Sequence, residues 1–278
     1  MPVGASGMWQ TVVPNYHRPV ALVDDRGSAE FDPYQVPVRP AATVMMVRDG
    51  SAGVEVAMLR RSLTASFVGG AYVFPGGAVD PHDASDEMAQ RCRGGDDASL
   101  SRLLRIASGG LAFWVAAVRE SFEEAGLLVA NDDEGQPVDL SQPEVAQRFV
   151  VHRSDVHSGR RSLADVLTEE RLHLRLDHIF SWSHWVTPIG SPRRFDTRFF
   201  LCAAPVGQEP LHDERETIAS LWLTAADALQ RFHDGAINLI TPTIKSLEAI
   251  GHFPTVASLI DAAAPRAVPV VIPAPTLG

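Results

Sequence analysis

Arg119-Glu120-Ser121-Phe122-Glu123-Glu124-Ala125-Gly126-Leu127 closes a run whose apolar residues repeat with helical period. Leu111, Trp114, Val115, Val118, Phe122 and Ala125 fall at i, i+3, i+4 and i+7 spacings, which predicts a helix over Leu111 to Ala125 with one buried stripe. Gly126 stands where a left-handed C-terminal cap belongs. On the other face, at about 100° per residue, Glu120, Glu123 and Glu124 lie within an arc of about 100°, so their carboxylates can converge on one point. Convergence has a cost of about 0.2–0.5 kcal/mol per like-charged i,i+3 or i,i+4 pair, and Arg119 offsets only one of them, best placed for Glu123. Mg²⁺ or Mn²⁺ relieves such repulsion, because hard cations prefer carboxylate and water oxygens. A solvated acidic helix face is the plain alternative for an isolated Glu-x-x-Glu-Glu.

The upstream stretch Phe74-Pro75-Gly76-Gly77-Ala78-Val79-Asp80 changes the balance. With the helix, it resembles the two halves of the Nudix hydrolase box, GX5EX7REUXEEXGU, where U is a bulky aliphatic residue. The resemblance implies a metal-dependent hydrolase of nucleoside diphosphates linked to another group, with Glu120, Glu123 and Glu124 as Mg²⁺ or Mn²⁺ ligands and Arg119 orienting Glu123. It also implies close backbone approach at Gly76 and Gly77. A general base outside the box is assigned to Glu216, with Glu214 and Glu209 behind it. Two departures stand out. Gly77 and Arg119 are 42 positions apart where the box has 14, so 28 residues are inserted. Ser121 occupies a U position, and Leu111 falls where the first box glutamate would stand if counted back from Arg119; Asp83, six after Gly77, keeps an acid at the other end of the insertion.

The inserted box and the stretches Trp182 to Pro188 and Arg193 to Phe200 resemble the coenzyme A diphosphatase branch of that superfamily, over roughly residues 40 to 250. The branch implies cleavage of coenzyme A or acyl-CoA to 3′,5′-ADP and 4′-phosphopantetheine. Of the signature LLTxR(S/A)xxxRxxxGxxxFPGG, Arg61, Ser62, Gly70 and Phe74 to Gly77 match, and Ser66 replaces the central arginine. Arg61, Gly76, Gly77, Arg193 and Arg194 are the candidate substrate contacts. Arg193, Arg194 and Arg198 suit phosphate oxygens, or serve as paired structural arginines. Trp182, Trp185 and Trp222 read as core more readily than as an adenine stack, and His184 and His212 as ordinary hydrogen-bonded or surface histidines. ADP-ribose, NADH or another nucleoside diphosphate derivative is the alternative substrate class. A non-catalytic Nudix-like ligand sensor is the alternative from outside enzymology.

The expected fold is an α/β (α+β) Nudix α/β/α sandwich around a mixed β-sheet. β-prone runs at Thr43 to Arg48 and Val54 to Arg60 flank a Gly-containing loop, and Ala71 to Phe74 reads as a third strand ended by Pro75-Gly76-Gly77. Helices are expected at Ser99 to Ala107, Pro143 to His152, Ser162 to Glu169, after the Thr224 cap, and from Thr241-Pro242 to Gly251; strands at Ile179 to Val186, Thr197 to Ala203 and Thr217 to Leu223. The chain divides into a proline-rich extended arm (1–40), a Nudix domain (41–262) with its insertion at 84–111, and an Ala/Pro-rich tail (263–278) expected to run extended or fray.

Composition bounds the rest. The chain has 278 residues, 24 Lys+Arg against 34 Asp+Glu, a net charge of −10, 45% hydrophobic residues and two cysteines. Two cysteines make no disulfide framework and no zinc site, so a reducing cytoplasm is expected. The longest apolar run, Leu111 to Val118, is far short of the roughly 20 residues that span a bilayer, and Met1 to Pro14 lacks a signal-peptide pattern. Net acidity works against a nucleic-acid partner. A single lysine, Lys245, among arginines suggests GC-rich coding and a bacterial source. A homodimer is the expected assembly.

Overall fold

Strictly alternating burial begins at Ala42: Ala42, Val44 and Met46 join one apolar cluster, Met45 and Val47 the other. A strand feeding two cores belongs at the centre of a sheet covered on both faces. It is β1 (Val38–Gly50) in the computed structural model, which describes residues 34–63, 69–212, 216–264, 268 and 270–273. A two-residue turn, with Gly50 opposite Gly53, leads to β2 (Gly53–Arg61). β3 (Tyr72–Val73) pairs with β2, and β4 (Gly76–Ala78) pairs antiparallel with β1 at Ala41 to Thr43. Pro75-Gly76-Gly77 is therefore not the break expected of it: without side chains, the two glycines add a short strand where backbone must approach closely.

The insertion follows. A single 3₁₀ turn, Pro81–Ala84, leads to α1 (Asp86–Gln90), β5 (Cys92–Arg93) and α2 (Asp97–Leu104), and the chain returns into α3 (Gly110–Ala125). α2 stops before the expected Ala107 because Arg105 takes a left-handed conformation, φ 57°. Gly109, the N-cap of α3, has no side chain to cap it. The insertion supplies the cap: Asp97 accepts from the Gly109 and Leu111 amides at 3.1 and 3.0 Å, and Ser101 Oγ from Gly110 at 2.9 Å. An anion at a helix N-terminus also meets the positive end of the dipole. Gly110 is required there, since a Cβ would collide with the Ser101 backbone.

α3 is amphipathic over its second half only; Gly110 to Val118 is buried all round, between the sheet and α2. β6 (Ala130–Asn131), α4 (Pro143–His157), α5 (Leu163–Glu169) and β7 (His173–Arg175) complete this layer, with a small sheet in the order β5-β7-β6. The chain re-enters the main sheet as β8 (Ile179–Val186), β9 (Arg194–Ala203) and β10 (Thr217–Thr224). α6 (Ala225–His233), α7 (Thr241–Ile250) and α8 (Val256–Ala263) cover the opposite face, and β11 (Val270–Val271) joins β8. The sheet order is β10-β2-β1-β9-β8-β11, with β1 parallel to β9 and β2 antiparallel to both neighbours. This is the α/β/α sandwich around a mixed sheet.

Two expected boundaries move. β1 starts at Val38, already opposite Arg194, so the last three residues of the expected arm belong to the sheet. The expected tail opens on Ala263, the last residue of α8, and Val270–Val271 pair with His184 and Trp185. The rest of the arm before Tyr34, and residues 274–278, lie outside the described residues. No helix among the described residues is long and apolar enough to cross a membrane.

Candidate active site

Three elements meet at the polar end of α3. β4 supplies backbone, α3 supplies carboxylates and the Asp80–Ala84 turn supplies a counter-charge. Glu124 is the deepest of the three glutamates, its side chain 4% exposed, with Oε2 accepting from the Gly76 amide at 3.0 Å and Oε1 4.0 Å from Arg61 Nη1. Glu120 lies against Gly77, where any Cβ would collide with its carboxylate. Glu123 lies one turn on from Glu120, its Oε1 3.1 Å from Arg119 Nη1. The three glutamates share the end of α3 that faces β4, but they do not bring three ligand oxygens within 4.8 Å of one another, so the expected meeting at one point is not reached.

Arg119 does more than orient Glu123. Its Nε and Nη2 bind Asp83 at 2.8 and 3.0 Å, Nη2 also reaches the Ala78 carbonyl at 2.8 Å, and Nη1 is shared between Glu120 (2.8 Å) and Glu123. Burial opposes the guanidinium charge, yet Asp83, Glu120 and Glu123 outweigh it and raise the Arg119 pKa. Asp83, 1% exposed, also accepts from the Asp80 amide at 2.8 Å. Asp83, rather than Leu111, therefore occupies the place of the first box acid, and the 28 extra residues lie between it and Arg119. Its spacing of six from Gly77 was the available signal. Ser121 is fully buried, its Oγ without a hydrogen-bond partner among the described residues, and nothing in the structure explains a serine at that apolar position.

The electrostatics show what this cluster lacks. Burial pushes Glu120 up to about 7 and Glu124 up to about 8; Arg119 counters the first and the Gly76 amide and Arg61 the second, while neighbouring carboxylates raise both. Clustered, desolvated carboxylates with too little positive charge around them fit a hard divalent cation, which prefers oxygen donors. Among the described residues the donor set that does bring its ligand atoms within 4.8 Å of one another is His152, Glu169 and Glu170. Its charge is already balanced: Glu170 holds Arg148 at 2.5 and 2.9 Å and His152 at 2.9 Å, and Glu169 holds Arg161 at 2.7 Å.

The remaining candidates divide. Glu216, exposed at the entry to β10, lies within electrostatic reach of Glu124 and helps to raise its pKa; its carbonyl accepts from Ser62 at 2.7 Å, tying it to the Arg61 end of β2. Glu209 is otherwise engaged, by Arg48 at 2.8 Å and Trp222 Nε1 at 2.7 Å. Glu214 and Ser66 lie outside the described residues. Arg193 and Arg194 are not brought into contact with the glutamates. Arg194 gives its Nε to the Thr187 carbonyl at 3.1 Å, and it lies on β9, across β1 from β4, roughly 16 Å from Gly77 by two strand spacings and a four-residue rise. Arg198 is buried against Phe113, donating to Asp196 and to the Leu104 carbonyl that ends α2. Trp182 and Trp185 are core, and Arg48 stacks on Trp222. His184 is buried on Asp196 at 2.5 Å. Both cysteine thiols are buried and pushed up to about 12, unsuited to metal or redox work.

Sequence reasoning did not reach Arg153 and His157 on α4: Arg153 Nε donates to the Glu123 carbonyl at 2.9 Å and His157 Nδ1 lies 3.7 Å from Glu123 Oε2. They stand 30 and 34 residues from Glu123, with no spacing rule linking them to it.

Residues 96–250 match the NUDT19 Nudix domain family, more than half the chain. The chain belongs to that family. It is a Nudix hydrolase, of the class that acts on phosphoanhydride bonds, rather than a non-catalytic sensor. Similar curated proteins are the acyl-coenzyme A diphosphatases NUDT19 of Xenopus laevis, 25% identical over 86% of this chain and 70% of the relative, and of Gallus gallus, 30% identical over 78% and 66%. The chain spans 63% of the length of the human NUDT19 protein at 27% identity. A solved Nudix hydrolase from Alicyclobacillus acidocaldarius is 33% identical, with a TM-score of 0.69 over 84% of this chain and 100% of that one. The bacterial source inferred from arginine usage is corrected by the curated relatives, which come from frog, chicken, human and nematode; a codon-driven arginine bias assigns no source.

Proposed function

We propose that this NUDT19-family chain hydrolyses the diphosphate of coenzyme A or acyl-CoA to 3′,5′-ADP and a 4′-phosphopantetheine, using Mg²⁺ or Mn²⁺. The observation that carries the reading is the buried glutamate cluster facing Gly76 and Gly77, on a chain whose curated relatives are named acyl-coenzyme A diphosphatases. Glu120, Glu123 and Glu124 would hold the cation. When bound, it neutralises diphosphate charge and makes a water more acidic.

The chain's own residues do the rest. Glycines at 76 and 77 let β4 lie against the carboxylates, and Arg119, fixed by Asp83, keeps Glu120 and Glu123 on one side of the helix. Arg61 stands beside Glu124 with its Nε buried and without a hydrogen-bond partner among the described residues; it is the arginine best placed to meet phosphate charge. Glu216 accepts the proton of the attacking water. The water oxygen adds to one phosphorus, the bond from that phosphorus to the bridging oxygen breaks, and two monophosphates leave. Arg193 and Arg194, farther along the sheet, would meet a distal part of a long substrate. The catalytic unit is taken as residues 41–262. A homodimer in the cytoplasm, with a small-molecule substrate and no nucleic-acid partner, belongs to the same reading; the net charge of −10 supports the last of these.

Ser66, in place of the signature arginine, supports ADP-ribose or NADH as a second substrate class. One assay decides. Coenzyme A and Mg²⁺ are incubated with the protein, with an EDTA control, and products are read by mass spectrometry. 3′,5′-ADP formed only with metal is the expected result. Intact coenzyme A, with ADP-ribose or NADH consumed, would transfer the assignment to the second class.

A further inference from the structure

Glu123 is gripped from outside the box. α4 crosses beside the last turn of α3, and two of its residues four apart, hence on one helical face, reach Glu123 together. Arg153 Nε holds the main-chain carbonyl at 2.9 Å, and His157 Nδ1 stands 3.7 Å from Oε2. Oε1 is taken by Arg119 at 3.1 Å, so the two carboxylate oxygens face a cationic or polar group from different helices. Arg119 is in no position to do this alone, because its donors also serve Asp83, Ala78 and Glu120.

The His157 end of this grip opens on a cleft of about 330 Å³. One wall is the start of the insertion, with Asp80, His82, Asp83 and Met88; the other is the α4–α5 turn, with Gly159 and Ser162. Arg119 and Glu123 line it between them. His157 thus borders a polar cleft, its side chain 17% exposed, and shortening it removes a contact to Glu123.

We propose that His157 is a positioning residue that sets the orientation of the Glu123 carboxylate for the cation, with Arg153 holding the Glu123 main chain, so that α4 and not the box alone determines metal affinity. The inference rests on the metal reading of Glu120, Glu123 and Glu124. Groups of this kind, one shell out from a metal, typically contribute about 10–100-fold in metal affinity.

The test measures Mn²⁺ binding to the metal-free protein by isothermal titration, beside thermal melting in EDTA, for the wild type, His157→Ala, His157→Asn and Glu123→Gln. Asn places an amide nitrogen near the position of Nδ1. The expected result is a loss of about 10–100-fold in Mn²⁺ affinity for His157→Ala, substantial recovery in His157→Asn, and an unchanged melting temperature for both. Wild-type affinity in His157→Ala while Glu123→Gln loses binding would overturn the positioning role alone. Equal binding in the wild type and Glu123→Gln would instead overturn the metal assignment beneath it. A lowered melting temperature in His157→Ala that Asn does not restore would make the contact structural and also end the proposal.

Discussion

Glu124 carries the highest raised carboxylate pKa at the site, about 8, with Glu120 at about 7. Their ordinary values are near 4.5, so between about pH 4.5 and 8 the metal-free native state holds protons that the unfolded chain has released. Stability then falls as pH rises through that window, since it is the folded state that binds more protons. In EDTA the melting temperature should drop between pH 5 and pH 8, and added Mg²⁺ should restore it most at pH 8, where the carboxylates ionise for the cation. A melting temperature indifferent to both pH and Mg²⁺ would count against the cluster as a cation site. Glu123→Gln keeps size and hydrogen bonding but removes a charge; turnover of the diphosphate should fall by at least about 100-fold while the far-UV spectrum is retained. Residue-level legibility was uneven. Glu120, Glu123 and Glu124 were readable because helical periodicity alone puts them on one face. Asp83 was half readable, by its spacing, but only its contact with Arg119 showed what it does.

At the scale of the element, α3 depends on its neighbour. Its N-cap is a glycine and its first amides are satisfied by Asp97 and Ser101 of the insertion. Asp97→Ala should cost about 1 kcal/mol, the usual value of a lost N-terminal cap, and lower the melting temperature measurably, with the Mg²⁺ requirement unchanged. A melting temperature equal to wild type would show that water satisfies those amides equally well. The long helices and strands were legible because periods of 3.6 and 2 need several turns or pairs to declare themselves. β4, β5, β6 and β7, two or three residues each, carry no period; they exist because a neighbouring strand offers partners.

For the whole molecule, the insertion is part of the fold and no appendage. Leu100 and Leu104 of α2 join the same apolar cluster as Trp114 and Phe200, and Arg198 on β9 reaches back to the Leu104 carbonyl. Replacing residues 86–105 by a short flexible linker should therefore abolish cooperative unfolding, or lower the melting temperature far more than Asp97→Ala does, because it uncovers α3 and strands the buried Arg198. A deletion variant as stable as wild type would make the insertion dispensable.

The amino-acid sequence determined by itself the class of fold, the helix that carries the acids and the chemistry those acids suit, because each follows from local spacing and residue type. Only the tertiary structure decided that Asp83 holds Arg119, that Gly76 and Gly77 form a strand against the carboxylates, and that Glu209 is engaged while Glu216 stands near Glu124. It alone decided, too, that α4 reaches Glu123. Those facts join residues from 13 to 92 positions apart, and such contacts arise from how the layers pack, which no local pattern records.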